Sequence, residues 1–457
     1  MHIQRSQLKF LLEWAKATER QPIVIRGARQ IGKSTLVELL AKESKLDLRT
    51  INFEQKPEYV EHFVSNEPKR IIQLLQAQLQ VSIVPGKSIL FLDEIQQAPQ
   101  VITTLRYFYE QLPQLHVIAA GSLLEFALQE MNYAVPVGRI EYLYMGPLNF
   151  SEFMLAIGET MAHEFLQQYT LDQIIPNALH DKLLNLLTLY YIIGGMPKAI
   201  ATYIKTQDLA AVERVKFSII DTLQDDFAKY ALKKELLLLR KCFNAIPTLI
   251  GTRSKYSHID NNVRSEYVAR AVDQLCLAKI CQKVTHTSAN GLPLGAETND
   301  KHFKLLFLDI GLVNTILGIS LLNLKNTDSL ILINKGALAE QMIGQHLAYM
   351  RPHYEPPGLY YWNREKTGSN AEIDYLITSN RNIIPVEVKS GKAGRLRSLH
   401  TFLQEKNLTI ALRFNTNLPI VSTEQIKITD GTEIKYKLMS LPLYCVEQAF
   451  RLLSEEL

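Results

Sequence analysis

Residues 27–34 read Gly27-Ala28-Arg29-Gln30-Ile31-Gly32-Lys33-Ser34, a complete G-x-x-x-x-G-K-[ST] phosphate-binding loop. The apolar run Ile23–Val24–Ile25 precedes it as a strand should, and Thr35–Ala41 follows with helix-forming residues. Gly27 and Gly32 let the backbone wrap a phosphate chain with its N–H groups, and the new helix points its positive end at the same charge. Lys33 would reach the β- and γ-phosphates, Ser34 would ligate magnesium, and Thr35 ends the nucleotide-binding stretch. The loop predicts a nucleoside triphosphate, ATP, as ligand.

The run Ser88–Ile89–Leu90–Phe91–Leu92–Asp93–Glu94 is apolar throughout and ends in two acids, the pattern of a strand buried on both faces. Asp93 would hold the magnesium, directly or through water, and Glu94 would polarise the attacking water. A third run, Val117–Ala120, ends in Gly121–Ser122. Ser122 either senses the γ-phosphate between the two motifs or caps a helix.

Working outward, residues 1–145 alternate strands and helices, as a parallel sheet covered on both faces requires. The expected strands are Ile23–Arg26, Leu48–Phe53, Ile89–Asp93, His116–Ala120 and Glu141–Met145. Residues 146–218 read as an all-helical lid, with Phe150–Ile157 and Asp181–Ile193 amphipathic and a break at Gly194–Gly195–Met196–Pro197. Residues 219–330 run helix, helix, then two strands around a polar loop, the order of a winged helix. Tyr267–Leu277 is its recognition-type helix, carrying Arg270, with Arg264 just ahead. Residues 331–457 form a last, mixed α/β domain.

Composition adds limits. The 457 residues suit three or four domains, and a formal charge of +4 permits nucleic-acid binding without arguing for it. Four cysteines, Cys242, Cys276, Cys281 and Cys445, lack zinc or disulfide spacing and read as free thiols of a reducing compartment. No run approaches the roughly eighteen apolar residues of a membrane span, and His2–Arg20 is punctuated by charge. A cytoplasmic location without a membrane partner is expected.

Several short stretches occur in one order: Gly27–Ser34, Ile89–Glu94, Gly121–Ser122, Gly138–Arg139, Pro147–Leu148–Asn149–Phe150–Ser151–Glu152–Phe153 and Gly194–Gly195–Met196–Pro197. Together they resemble a prokaryotic family of AAA-type ATPases joined to a C-terminal region with a winged helix and a restriction-endonuclease-like fold. The resemblance implies a P-loop NTPase sheet with a helical lid, and an arginine from a neighbouring subunit that completes the ATP site. Arg139 fits that role by position, with Arg106 second, and a structural salt bridge is the alternative. A homo-oligomer follows if the finger is real.

In the last domain, residues 371–378 and 383–390 flank Ser379–Asn380–Arg381–Asn382 as a hairpin. With a symmetric loop, Ile373 faces Val388, Tyr375 faces Val386 and Ile377 faces Ile384, forming one apolar face. On the other face Asp374 opposes Glu387, and Glu372 opposes Lys389. Carboxylates about 5 Å apart repel, and a divalent cation would compensate them. Asp374 and Glu387 would then be metal ligands for magnesium or manganese, with the Val388 carbonyl third and Lys389 orienting a water. This arrangement resembles the D-x(n)-E-x-K site of endonuclease-like folds, whose additional helical acid matches Glu340, on one stripe with Ile343 and Leu347. The plain alternative is a solvated charge ladder with a Glu372–Lys389 cross-strand pair. Lys389–Arg397 carries four cations and no acid, suited to a phosphate backbone or to a solvated loop. The functional expectation is ATP hydrolysis coupled to DNA binding, with DNA cleavage or a non-cutting nucleotide switch as its two forms.

Overall fold

The computed structural model describes residues 3–130, 138–319, 330–364, 371–391, 396–427 and 431–456. The chain divides into two compact units. The first comprises Met1–Leu148 with Leu277–Ile280 and Arg351–Pro357, and the second holds Asn149–Cys276, Cys281–Met350 and Gly358–Leu457.

The first unit is built on five parallel strands: β1 (Ile23–Arg26), β2 (Asp47–Asn52), β3 (Ser88–Asp93), β4 (His116–Gly121) and β5 (Glu141–Tyr144). Their order is β2-β3-β4-β1-β5. Each lies within a residue or two of its expected place. β1, β3 and β4 occupy the middle and are almost wholly buried, which is why they are the continuous apolar runs of the sequence. Because β4 sits between β1 and β3, Gly121 pairs with Arg26 and Ala120 with Asp93. The end of β4 therefore falls between the phosphate loop and the acidic pair.

The second unit opens with helices, among them Phe150–Ala156, Asn177–Ile193, Pro197–Thr206, Leu209–Asp225, Leu236–Ala245 and Ser265–Leu277. Eight strands then form one mixed sheet: β6 (Cys281–Thr287), β7 (Thr298–Phe307), β8 (Tyr360–Asn363), β9 (Glu372–Ser379), β10 (Asn382–Val388), β11 (Ile410–Asn415), β12 (Ile420–Lys427) and β13 (Glu433–Pro442). Their order is β12-β13-β11-β10-β9-β8-β6-β7. The helix Ser265–Leu277 and the β6–β7 hairpin follow the expected helix-then-strands order. The hairpin does not stand apart as a wing, however: β6 pairs in parallel with β8 through Thr285–Tyr360 and His286–Tyr361. The expected boundary at 330 thus falls within one sheet, whose hydrogen bonds leave β6 no free edge.

The β9–β10 hairpin keeps the expected register, with Ser379 opposite Asn382, Ile377 opposite Ile384 and Tyr375 opposite Val386. Its turn is tighter than the expected four residues. Asn380 and Arg381 both take left-handed backbone, at φ 46° and 63°, as a two-residue type I′ turn requires. Ile373 does not share an apolar face with Tyr375, because a bulge shifts the β8–β9 register between Tyr360–Leu376 and Trp362–Ile373. Ile373 instead joins Leu376, Ile383, Trp362 and Phe402 in a core on the side of helix Arg397–Lys406.

All four cysteines are free, with the Cys276 and Cys281 sulfurs 3.5 Å apart. Among the described residues no single helix is long and apolar enough to cross a membrane.

Candidate functional site

The phosphate loop takes the shape that its glycines permit. Gly27 and Gly32 have φ of 155° and 91°, Gln30 is left-handed at 64°, and Gly32 ends the loop where helix Lys33–Ser44 begins. A Cβ on Gly27 would lie 2.4 Å from the Met145 carbonyl oxygen, so the loop accepts no side chain there. Ala28 and Ile31 are buried beneath the loop, while Arg29, Gln30, Ser34 and Thr35 are partly open. Lys33 is buried, its ammonium donating to the carbonyls of Gly27 at 3.1 Å and Ala28 at 2.8 Å. Burial pushes its pKa down to about 8, against the opposing pull of Glu94, Asp93 and Glu125.

The two motifs meet. Ser34 Oγ donates toward both Asp93 oxygens, at 3.3 and 3.2 Å. A hydroxyl and a carboxylate side by side at the loop are the hard oxygen donors magnesium takes, so these residues fit the ion. Asn52, at the end of β2, donates to Asp93 Oδ2 at 3.4 Å. Burial and then the neighbouring Glu94 raise the Asp93 pKa above the usual carboxylate range. Glu94 is left-handed at φ 51°, and its carboxylate accepts from Gln96 Nε2. Gln96 also packs on Gly121, where a Cβ would lie 2.3 Å from its Oε1. Ser122 is buried beside this contact.

Three further residues shape the site without a motif to announce them. Buried Arg5 donates to the Ile31 carbonyl at 2.9 Å and the Gly146 carbonyl at 2.7 Å, bracing the loop from below. Glu125 faces Lys279 at 3.2 Å and Arg26 at 4.0 Å. Lys279 belongs to the four-residue stretch Leu277–Ile280 that returns to the first unit, a placement no local pattern encodes. Arg139 and Arg106, the two candidates for a trans-acting arginine, converge on one carboxylate, Glu110, at 3.0 and 2.9 Å. Both guanidinium groups remain about half exposed, at 43% and 53%.

Two other stretches behind the family resemblance have structural work in the second unit. Asn149 and Glu152 form a reciprocal capping box on helix Phe150–Ala156. The same helix start gives its Phe150 N–H to His346 and its Ser151 N–H to Glu447. Gly194 has no room for a Cβ, which would sit 2.2 Å from Asp309 Oδ1, and the Gly195 N–H donates to Asp309 Oδ2 at 2.6 Å.

The second unit also brings together the four residues expected of a nuclease-like site, with a neighbour that was not expected. Lys304 of β7, 2% exposed, lies 2.5 Å from Glu372, 3.4 Å from Glu340 and 3.7 Å from Asp374. Burial would push its pKa down, but Glu340, Asp374 and Glu372 outweigh that and hold it well above its usual value. Arg253 closes on Glu372 at 3.2 Å. Lys389, just past the end of β10, pairs with Glu387 at 2.5 Å and not with Glu372 across the hairpin. The expected ladder fails here because the strands part: β10 continues beside β11 at Glu387–Arg413, and β9 beside β8 at Glu372–Asn363. Asp374 Oδ2 accepts the Val388 N–H at 2.8 Å, so Val388 meets Asp374 as a donor. Burial and then Asp374 raise the pKa of both Glu340 and Glu387.

As they stand, these acids do not fit a divalent ion. Lys304 and the Val388 amide occupy Asp374, and Lys389 occupies one oxygen of Glu387. Among the described residues, no three Asp, Glu, His or Cys side chains converge as a metal cage. Of the basic stretch Lys389–Arg397, residues 392–395 lie outside the described chain. Arg270 pairs with Glu235 at 3.8 Å beside exposed Tyr267, along a groove that also takes in Lys234 and Lys241.

Among solved structures, the Walker-type ATPase PABY2304 of Pyrococcus abyssi is 15% identical, covering 69% of this chain and 96% of its own, at a TM-score of 0.42. The Thermotoga maritima RuvB Holliday junction branch migration motor is 13% identical, covering 62% and 90%, at 0.26. PCH-2 of C. elegans is 12% identical, covering 47% and 69%, at 0.29. No curated protein matches the chain. Two domains of unknown function, DUF8612 and DUF4143, match residues 184–323 and 335–443. The AAA domain family matches residues 19–154, the stretch that holds the phosphate loop, Asp93, Glu94 and Ser122, and this part of the chain is an AAA-type P-loop ATPase domain.

Proposed function

We propose that this protein is a magnesium-dependent ATPase acting as a nucleotide-dependent switch, whose C-terminal unit engages DNA. The observation that carries the ATPase reading is the meeting of Ser34 with Asp93 beside Lys33. Lys33 binds the phosphate chain once a better acceptor replaces the loop carbonyls. Ser34 and Asp93 hold magnesium, whose chemistry there is to neutralise the β- and γ-phosphate oxygens. Glu94 orients the attacking water, and Ser122 reports the γ-phosphate from the end of β4. Arg139, with Arg106 beside it, supplies the trans charge in a cytoplasmic homo-oligomer, released from Glu110 by the neighbouring subunit's nucleotide.

DNA engagement is supported by the cations along the Tyr267 groove and the positive stretch after Lys389. Metal-dependent cleavage at Glu340, Asp374, Glu387 and Lys389 is favoured by one observation, their gathering in one cluster, and opposed by another, Lys304 in their midst.

Both arms are tested with the Glu94→Gln variant. It should bind ATP at wild-type affinity and hydrolyse it about 100-fold more slowly or worse, the scale for loss of a water-orienting group. Normal turnover would remove Glu94 from the mechanism. Held in the ATP state, the variant should retain fluorescent duplex or single-stranded DNA more strongly than the nucleotide-free protein. Equal retention in both states would leave an ATPase without a DNA switch. Wild type incubated with DNA, magnesium and manganese then reads cleavage directly.

A further inference from the structure

We infer that the second unit keeps the acids of a nuclease-like centre without a divalent-metal site, because Lys304 is the cation built into their midst. The repulsion among Glu340, Glu372, Asp374 and Glu387 needs a positive charge. In this molecule the chain supplies it from β7, a strand on the other side of β8 and β6 from the hairpin.

Three features make Lys304 a resident rather than a passing neighbour. Its side chain is 2% exposed, so solvent does not compete for it. Its ammonium reaches carboxylates from two separate elements, Glu340 of helix Leu330–Tyr349 and both Glu372 and Asp374 of β9. It also lies 5.6 Å from the centre of the Tyr361 ring, so an aromatic face covers part of it. Gly251 lies against the cluster, where a Cβ would fall 3.1 Å from Glu340 Oε1.

An ammonium and a metal ion make opposite use of the same groups. The ammonium donates protons to oxygen lone pairs that a metal would need, and the two cations repel at the shared distance. A divalent ion could take up Glu340 and Asp374 together only by displacing Lys304, whose side chain is 2% exposed. Glu387 is the one acid outside this grip. Lys389 holds its Oε1, and its buried Oε2 has no hydrogen-bond partner among the described residues. One free carboxylate oxygen does not make a metal site.

Removing Lys304 should therefore create the site that its presence closes. Mn2+ binding to the nucleotide-free full-length protein is measured by the electron paramagnetic resonance of the free ion. Wild type, Asp374→Asn, Lys304→Met, and Lys304→Met combined with Asp374→Asn are compared. Wild type and Asp374→Asn should bind Mn2+ identically. Lys304→Met should gain one site in the range of about 10–100 µM, typical of a few-carboxylate site, and the double variant should lose it. The inference is overturned if Asp374→Asn removes Mn2+ binding from the wild-type background, or if folded Lys304→Met gains nothing. Lys304→Gln, which keeps a donor, stands in should the methionine variant fail to fold. If neither folds, wild type against Asp374→Asn decides alone, equality supporting the inference and a loss ending it.

Discussion

The two charged centres of this chain use the same residue types and reach opposite states. At the phosphate loop, Lys33 makes do with two backbone carbonyls, and Ser34 shares its proton between the two oxygens of Asp93. Every one of those groups would be better satisfied by a triphosphate and a hard cation. In the second unit, Lys304 and Lys389 are already bonded to carboxylates, and Arg253 adds a third cation. Here the fold has answered its own charges. An acid–lysine pattern thus indicates chemistry only when the groups around it are left wanting, and that depends on residues far off in sequence.

The sharpest way to break this contrast is to remove each lysine in turn. Lys33→Ala should weaken ATP binding about 100-fold, since an ammonium to a polyphosphate makes charge-assisted bonds of the stronger kind. Lys304→Ala should leave ATP affinity within about twofold, because Lys304 bonds to none of the groups that hold Lys33, Ser34 or Asp93. Titration with a fluorescent ATP analogue reads both. An equal loss in the two variants would mean that the centres are not independent and would end the comparison as drawn.

A smaller effect separates them by pH. Burial brings the Lys33 pKa down to about 8, so half of the free protein carries it neutral at that pH. Binding a triphosphate requires the charged form. ATP affinity should therefore hold below pH 8 and fall by up to about tenfold per unit above it. Calorimetry near pH 8.5 should show proton uptake on binding, visible as a dependence on the buffer's ionisation heat. Lys33→Arg should flatten the profile. A flat wild-type profile to pH 9.5 would show that Lys33 is more exposed to water than its contacts imply.

Much of the ATP domain was legible because its signals are local. Gly27 to Ser34 are contiguous, and the five strands are short runs bounded by their own polar ends. The β9–β10 register was legible for the same reason, since a tight turn at Asn380–Arg381 leaves only one symmetric pairing. What escaped reading depends on contacts between distant stretches. No local pattern shows that β6 pairs with β8, that a bulge sends Ile373 to the opposite face from Tyr375, or that Lys304 enters among acids up to 70 residues on. The metal expected among the hairpin acids was read from two strands and the Glu340 helix, and Lys304 belongs to none of them. Arg5 and Lys279 carried no signal at all, because their partners are the Ile31 carbonyl and Glu125.

The finest comparison concerns how fully the second centre is neutralised. Burial and then Asp374 raise the Glu340 pKa, even with Lys304 beside it. A carboxyl raised in the folded state stabilises the fold below its unfolded value, near 4.5, and that contribution is lost as pH rises through the folded one. Glu340→Gln should therefore match wild type at pH 5, where both side chains are neutral. At pH 9 the variant should melt higher, by an amount on the order of a few °C, because wild type must then ionise Glu340 among three other acids. Thermal melts at the two pH values read the sign. A variant less stable than wild type at pH 9 would show that the Glu340–Lys304 pairing outweighs the crowding, so that Lys304 holds its cluster through Glu340 more than through Glu372 and Asp374.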